Sequence, residues 1–211
     1  LSSSSAASDV YKRQVVHRPM NSEALITELR GPRVLLRAWN DADLAPFAAM
    51  NADAEVMQHF PAPLTRTESD QLAARVRAHF ARYGYGAWVV EIPGVLPFAG
   101  CVGLLNVGFD AHFTPAVEIS WRLVRAAWGQ SYASEAAQCA LHYGFETLQL
   151  PEVVSFTVPA NLRSQAVMQR LGMRSKAEEN FAHPKLPAGH PLSEHVLYRI
   201  SRDAWRATSA Q

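Results

Sequence analysis

The stretch that most constrains this chain is a strand pattern that runs through a small-residue turn into a helix pattern. Val117-Glu118-Ile119-Ser120-Trp121-Arg122-Leu123 alternates apolar and polar residues, as a half-buried strand does. Trp128-Gly129-Gln130-Ser131-Tyr132-Ala133 follows, and then a helical run from Ser134 to about Leu148. Ala133, Ala136, Ala137, Ala140, Leu141 and Leu148 form one apolar stripe of that helix. Its alanines let the helix lie close to a sheet. In such a unit the first N–H groups of the helix have no intrahelical partner. They point, with the positive end of the helix dipole, at one place, which suits a pyrophosphate. An ordinary strand-to-helix turn is the plainer alternative.

The rest of the chain supplies a sheet for that unit. Residues 33–37 read as a first strand, and Asp41 as the N-cap of a helix to about Met50. Glu55–His59 reads as a short helical turn stopped by Pro61 and Pro63. A helix starts at Thr67, carries Leu72, Val76, His79 and Phe80 at helical spacing, and ends at Gly84 and Gly86. Residues 87–92, 98–107, 116–124 and 153–158 read as strands. Asn161 is a strong N-cap and Gly172 a helix-ending glycine. Residues 173–181 and 195–201 read as the last two strands, with a Pro/Gly loop between them. The expected fold is α+β: a mixed, mostly antiparallel sheet of six to seven strands with helices on both faces.

Length and composition narrow the class. At 211 residues, 48% of them hydrophobic, the chain has enough apolar material for one sizeable core. Twenty Lys+Arg stand against nineteen Asp+Glu without a basic cluster, so no nucleic-acid partner is expected. No apolar run nears the ~20 residues that span a bilayer, so no membrane partner is expected. Cys101 and Cys139 fit core packing in a reducing, cytoplasmic compartment, and the histidines show no metal-ligand spacing. Residues 1–14 are low-complexity and resemble translated adapter sequence, so they are expected to be a disordered, non-native lead, with a native start near Met20. Residues 15–32 then form an extension, 33–206 one domain and 207–211 a tail.

The motifs resemble those of the GNAT (Gcn5-related N-acetyltransferase) superfamily, in its RimJ/RimL-like branch. That branch's phosphate loop commonly reads Trp-Gly-Gln-Gly-Tyr-Ala, matched here by Trp128 to Ala133 with Ser131 where Gly is usual. Its Asn-x-x-Ser and Leu-Gly-Phe/Met motifs match Asn161, Ser164, Leu171, Gly172 and Met173. Its opening matches Leu35-Leu36-Arg37 and Asp41-Ala42-Asp43-Leu44. The resemblance implies acetyl-CoA as cosubstrate and an amine acceptor, with no metal; a homodimer is compatible with it.

It also implies roles. Gly129, Gln130, Ser131, Tyr132 and Ala133, with Trp128, would hold the pyrophosphate of coenzyme A, and Ile119, Trp121 and Asn161 the rest of the cofactor. If Ser131 must adopt a positive φ, its Cβ costs backbone freedom; at negative φ it is harmless. Ser164 would lie near the thioester sulfur and stabilise the departing thiolate, the alternative being an exposed helix serine. Glu118 would take the amine's proton, directly or through water; the alternative is a salt bridge to Arg122 on the same strand face. Phe60, Trp88, Glu118 and His183 would line the acceptor site, although Trp88 and His183 also suit structural packing. The function implied is transfer of an acetyl group to a primary amine, a protein N-terminus or a small molecule, by direct attack in a ternary complex. A non-catalytic acyl-CoA sensor on the same fold is the alternative from another class.

Overall fold

The computed structural model describes residues 27–209, so the expectations for the 1–14 lead and a start near Met20 lie outside the described residues. Nine strands form the sheet: β1 (Leu29–Arg30), β2 (Leu35–Arg37), β3 (Ala87–Ile92), β4 (Leu96–Asn106), β5 (Val117–Leu123), β6 (Glu152–Thr157), β7 (Arg174–Ser175), β8 (Phe181–Ala182) and β9 (Glu194–Ser201). Their order is β1-β2-β3-β4-β5-β6-β9-β7, with β8 also on β9. The sheet exceeds the expected six to seven strands through its two-residue members. The expected strand over 173–181 is only β7 and β8, separated by a 3-10 turn at Ala177–Glu179. β1, inside the expected extension, pairs with β2.

Among the described residues five α-helices pack on this sheet: α1 (Leu44–Ala52), α2 (Arg66–Tyr83), α3 (Tyr132–His142), α4 (Leu162–Arg170) and α5 (Arg202–Ser209). The start of α1 differs from expectation. Asp41 begins a 3-10 turn, and Asn40 is the cap, in a reciprocal capping box with Asp43. Residues 54–59 form turns instead of a helix. α2 opens one residue early, at Arg66, because Thr65 and Glu68 make a second capping box. α3 gives way to a π-helical turn at Tyr143–Thr147, which places Phe145 in the core. The amphipathic α5 was not foreseen; it runs past Arg206 into the expected tail.

Strand alternation divides the sheet into two faces. Val102, Leu104 and Ile119 face the buried alanines of α3. Val89 and Phe98 face Phe47 and Met50 of α1 and Ala73 of α2. Following the register, Trp88, Val102 and Trp121 share the α3 face, whereas Val89, Cys101 and Arg122 share the α1/α2 face. Glu118 and Ser120 lie on that second face, four and two residues from Arg122.

Candidate active site

Among the described residues only β5 and β6 pair in parallel, and their register holds a single pair, Glu118 with Val154. Beyond it the strands part. Ser155 Oγ donates to the Ile119 carbonyl at 2.9 Å across the start of the gap. Trp121, two residues on along the same strand edge, has no β6 residue opposite it, so its backbone N–H and C=O face the opening. A cleft of about 1180 Å³ passes through this gap and joins the two faces of the sheet. That exceeds the usual range for a single small ligand.

On the α3 face the cleft ends at the turn before α3. Gly129 has φ 75° and Ser131 φ 65°, both left-handed. The first hydrogen bond of α3 runs from Glu135 N–H to the Ser131 carbonyl, and no side chain caps the helix. The N–H groups of Tyr132, Ala133 and Ser134 are therefore open, as an anion site requires. Two arginines of α4 flank them: Arg163 stacks over the Trp128 ring at 4.7 Å, and Arg170 donates to Ser134 Oγ at 3.0 Å. Trp128 itself is held by Nε1 donating to the Leu123 carbonyl. Ser131 pays a Cβ penalty at its positive φ of about 1 kcal/mol. Ser131→Gly is accordingly expected to stabilise the fold by about that amount, read as a rise in denaturant midpoint at constant m-value; an unchanged midpoint would mean that Ser131 carries no strain.

Asn161 caps α4 by accepting from Ser164 N–H at 3.2 Å, and its Nδ2 donates to Thr157 Oγ1. Trp121 Nε1 donates to Ser164 Oγ at 3.2 Å. The serine hydroxyl thus accepts one bond and keeps its own proton for a donor role inside the cleft.

On the α1/α2 face the cleft is lined by Glu118, Ser120, Arg122, Phe60, Phe156, His183 and His195, among others. Glu118 is half-buried and makes no ion pair among the described residues; desolvation pushes its pKa up to about 8. The alternative salt bridge to Arg122 does not form, because Arg122 turns to Asn51. His183 accepts from Lys185 N–H at Nδ1, and burial and the neighbouring His195 and Lys185 hold its pKa below the usual value. Its ring lies 5.1 Å from that of His195 and 6.2 Å from that of Phe156.

A family model described as an acetyltransferase (GNAT) domain matches residues 33–174. The chain belongs to the GNAT acetyltransferases. It is 28% identical over 174 residues to the uncharacterized N-acetyltransferase YnaD of Bacillus subtilis, covering 82% of this chain and 96% of that one. It is 31% identical over 163 residues to the FsC-acetyl coenzyme A-N(2)-transacetylase of Aspergillus fumigatus, covering 74% and 68%. Its fold matches an acetyltransferase from Agrobacterium tumefaciens at TM-score 0.67 and 26% identity, over 86% of this chain and 98% of that one. It also matches the Mycobacterium smegmatis RimJ in complex with CoA-disulfide at TM-score 0.65 and 22% identity, over 87% and 93%.

Against this GNAT frame, most of the expected site residues converge on one cleft: Phe60, Glu118, Trp121, Trp128, Gly129, Ser131, Tyr132, Ala133, Asn161, Ser164 and His183 all line it. Gln130 is an exposed turn residue. Ile119 points its side chain into the core and reaches the gap only through its backbone. Trp88 is a correction. It is fully buried on the α3 face, against Phe80 and Tyr143, with Nε1 donating to the Thr27 carbonyl. Its odd-even position in β3 turns it away from the acceptor face. Arg163, Arg170, Asn51 and His195 were missed; the two arginines in and just after the Asn161-to-Ser164 motif carried the available signal. Among the described residues no group of His, Cys, Asp or Glu could hold a metal, and no helix is long and apolar enough to cross a membrane.

Proposed function

We propose that this GNAT protein moves an acetyl group from acetyl-CoA to a primary amine by direct attack in a ternary complex. The observation that carries this reading is the gap between β5 and β6, with the open amides of α3 on one side and Glu118 on the other. The pyrophosphate fits the Tyr132–Ser134 amides, with Arg163 and Arg170 beside it. The Trp121 N–H suits a developing negative charge on the thioester oxygen. Glu118 takes a proton from the amine, the C–N bond forms, and the C–S bond breaks. The Ser164 hydroxyl donates a hydrogen bond to the departing thiolate.

Cys101 also lines the cleft, yet burial pushes its thiol up to about 11. It is protonated near neutral pH and a poor nucleophile, which favours direct attack over a covalent acyl-enzyme. Such a reaction belongs in the cytoplasm, where acetyl-CoA and reduced thiols coexist.

Isothermal titration with acetyl-CoA, followed by an amine panel with thiol-release detection, tests the proposal. Micromolar binding with turnover of an amine supports it; binding without turnover of any amine would instead favour a sensor. Ser164→Ala is expected to lower kcat about tenfold, with the acetyl-CoA Kd unchanged, since one charge-assisted hydrogen bond is lost late in the reaction. Unchanged kcat would remove Ser164 from the thiolate site.

A further inference from the structure

Arg122 is the unmatched charge of the cleft. Its Nη1 donates to Asn51 Oδ1 at 2.6 Å, and Asn51 is locked in that orientation because its Nδ2 donates to Ser69 Oγ at 2.8 Å. The Phe60 ring covers the guanidinium at 4.1 Å. Cys101 lies opposite on β4. Nε is sealed from solvent without a hydrogen-bond partner, and no carboxylate pairs with the group among the described residues. Desolvation draws its pKa down, with only Cys101 acting against it. Arg37 shows the contrast: it too is largely buried, but Asp43 and Glu91 both pair with it. A desolvated guanidinium surrounded by neutral groups is costly unless an anion completes it.

Two anions could do so, a phosphate of the cofactor or a carboxylate of the acceptor, and the topology separates them. The open amides, Arg163 and Arg170 belong to α3 and α4 and already form a phosphate site. Arg122 stands on the opposite face of β5, the face of Glu118 and Ser120. At about 3.3 Å per residue the Glu118 and Arg122 backbones are about 13 Å apart. Their side chains can lean together across Ser120.

We infer that Arg122 binds a carboxylate of the acceptor, so that the acceptor is a small amine that also carries a carboxylic acid. Its nitrogen lies toward Glu118 and its carboxylate is held by the guanidinium fork, with Phe60 as a wall that excludes water. The inference rests on the acetyltransferase reading of the same cleft and adds the chemical class of its acceptor.

The test uses matched pairs, 6-aminohexanoate against 6-aminohexanamide and L-methionine against L-methioninamide, with the wild-type protein, Arg122→Gln and Arg122→Lys. Thiol release gives kcat/KM, and calorimetry on CoA-saturated protein gives binding without turnover. Comparing the acid-to-amide ratio between variants cancels the amines' own reactivity. The wild type is expected to prefer the acid of at least one pair by about tenfold or more, the scale of one buried charge-assisted contact. Arg122→Gln should abolish that preference through KM, Arg122→Lys should keep part of it, and the acetyl-CoA Kd should not move. If Arg122→Gln fails to fold, Phe60→Leu serves instead: Phe60 is 39% exposed, so the fold tolerates its loss, and the preference should shrink. Equal use of acid and amide by the wild type overturns the inference. So does no binding of any probe, an unchanged preference in the variants, or weaker acetyl-CoA binding with the preference intact, which would assign Arg122 to a cofactor phosphate. Failure of the underlying reading looks different: the acids bind preferentially in calorimetry, yet no amine is turned over.

Discussion

Glu118→Gln is expected to lower kcat/KM by about 10²–10³, the scale of one lost general base. The shape of the pH profile is the sharper readout. With its pKa at about 8, Glu118 is largely protonated at neutral pH and becomes a competent base as pH rises. The wild-type kcat/KM should climb to a break near pH 8, with an acceptor whose own ionisation lies elsewhere, and the variant should lose that break. The same carboxyl leaves a mark on stability. The folded state holds its proton to about pH 8, whereas the unfolded chain releases it near the ordinary value of 4.5. Between those limits the folded form binds more protons, so stability falls as pH rises and levels off above 8. Glutamine has no such dependence. The stability of Glu118→Gln, followed by its melting temperature, should therefore gain on wild type between pH 5 and 8, by on the order of 2–4 kcal/mol after allowing for water in the cleft. A pH-independent difference in melting temperature would show that Glu118 ionises at the ordinary carboxylate value in the folded state.

Gly129→Val is expected to weaken acetyl-CoA binding about 10- to 100-fold, the loss of one or two charge-assisted amide bonds. At φ 75° a β-branched residue is strongly disfavoured, so the peptide would rotate and redirect the amides that follow. The effect would be purely conformational, because a Cβ at this position meets nothing within 4 Å. Gly129→Asn is the control: asparagine tolerates the left-handed region and should bind acetyl-CoA nearly as glycine does. If valine and asparagine bind alike, the turn is not the phosphate site.

Local chemistry made much of this legible. The strand–turn–helix unit could be read because alternation, small residues and an alanine stripe each report on a few neighbouring positions. Asn161 announced the start of α4 for the same reason, and the left-handed Ser131 answered a question the sequence had left open. What escaped was set by distant contacts. The parity that turns Trp88 inward depends on which face α3 covers, and no window around residue 88 contains that. Arg122 had an apparent partner four residues away in Glu118, but chose Asn51, 71 positions earlier. The strand over 173–181 failed because its middle detours through a 3-10 turn that local propensity does not forbid. Among the described side chains of α5, Trp205 is the one buried anchor, too weak a pattern to announce a helix.

The parted strands have one more consequence, for kinetics. Among the described residues the sheet acts as a partition with one window beyond the Glu118–Val154 pair, and each ligand of the proposed reaction has its own door. Neither must leave for the other to enter. Initial-velocity lines should thus intersect instead of running parallel, and the acetylated product can depart from its own side while the spent thiol is still seated on the other.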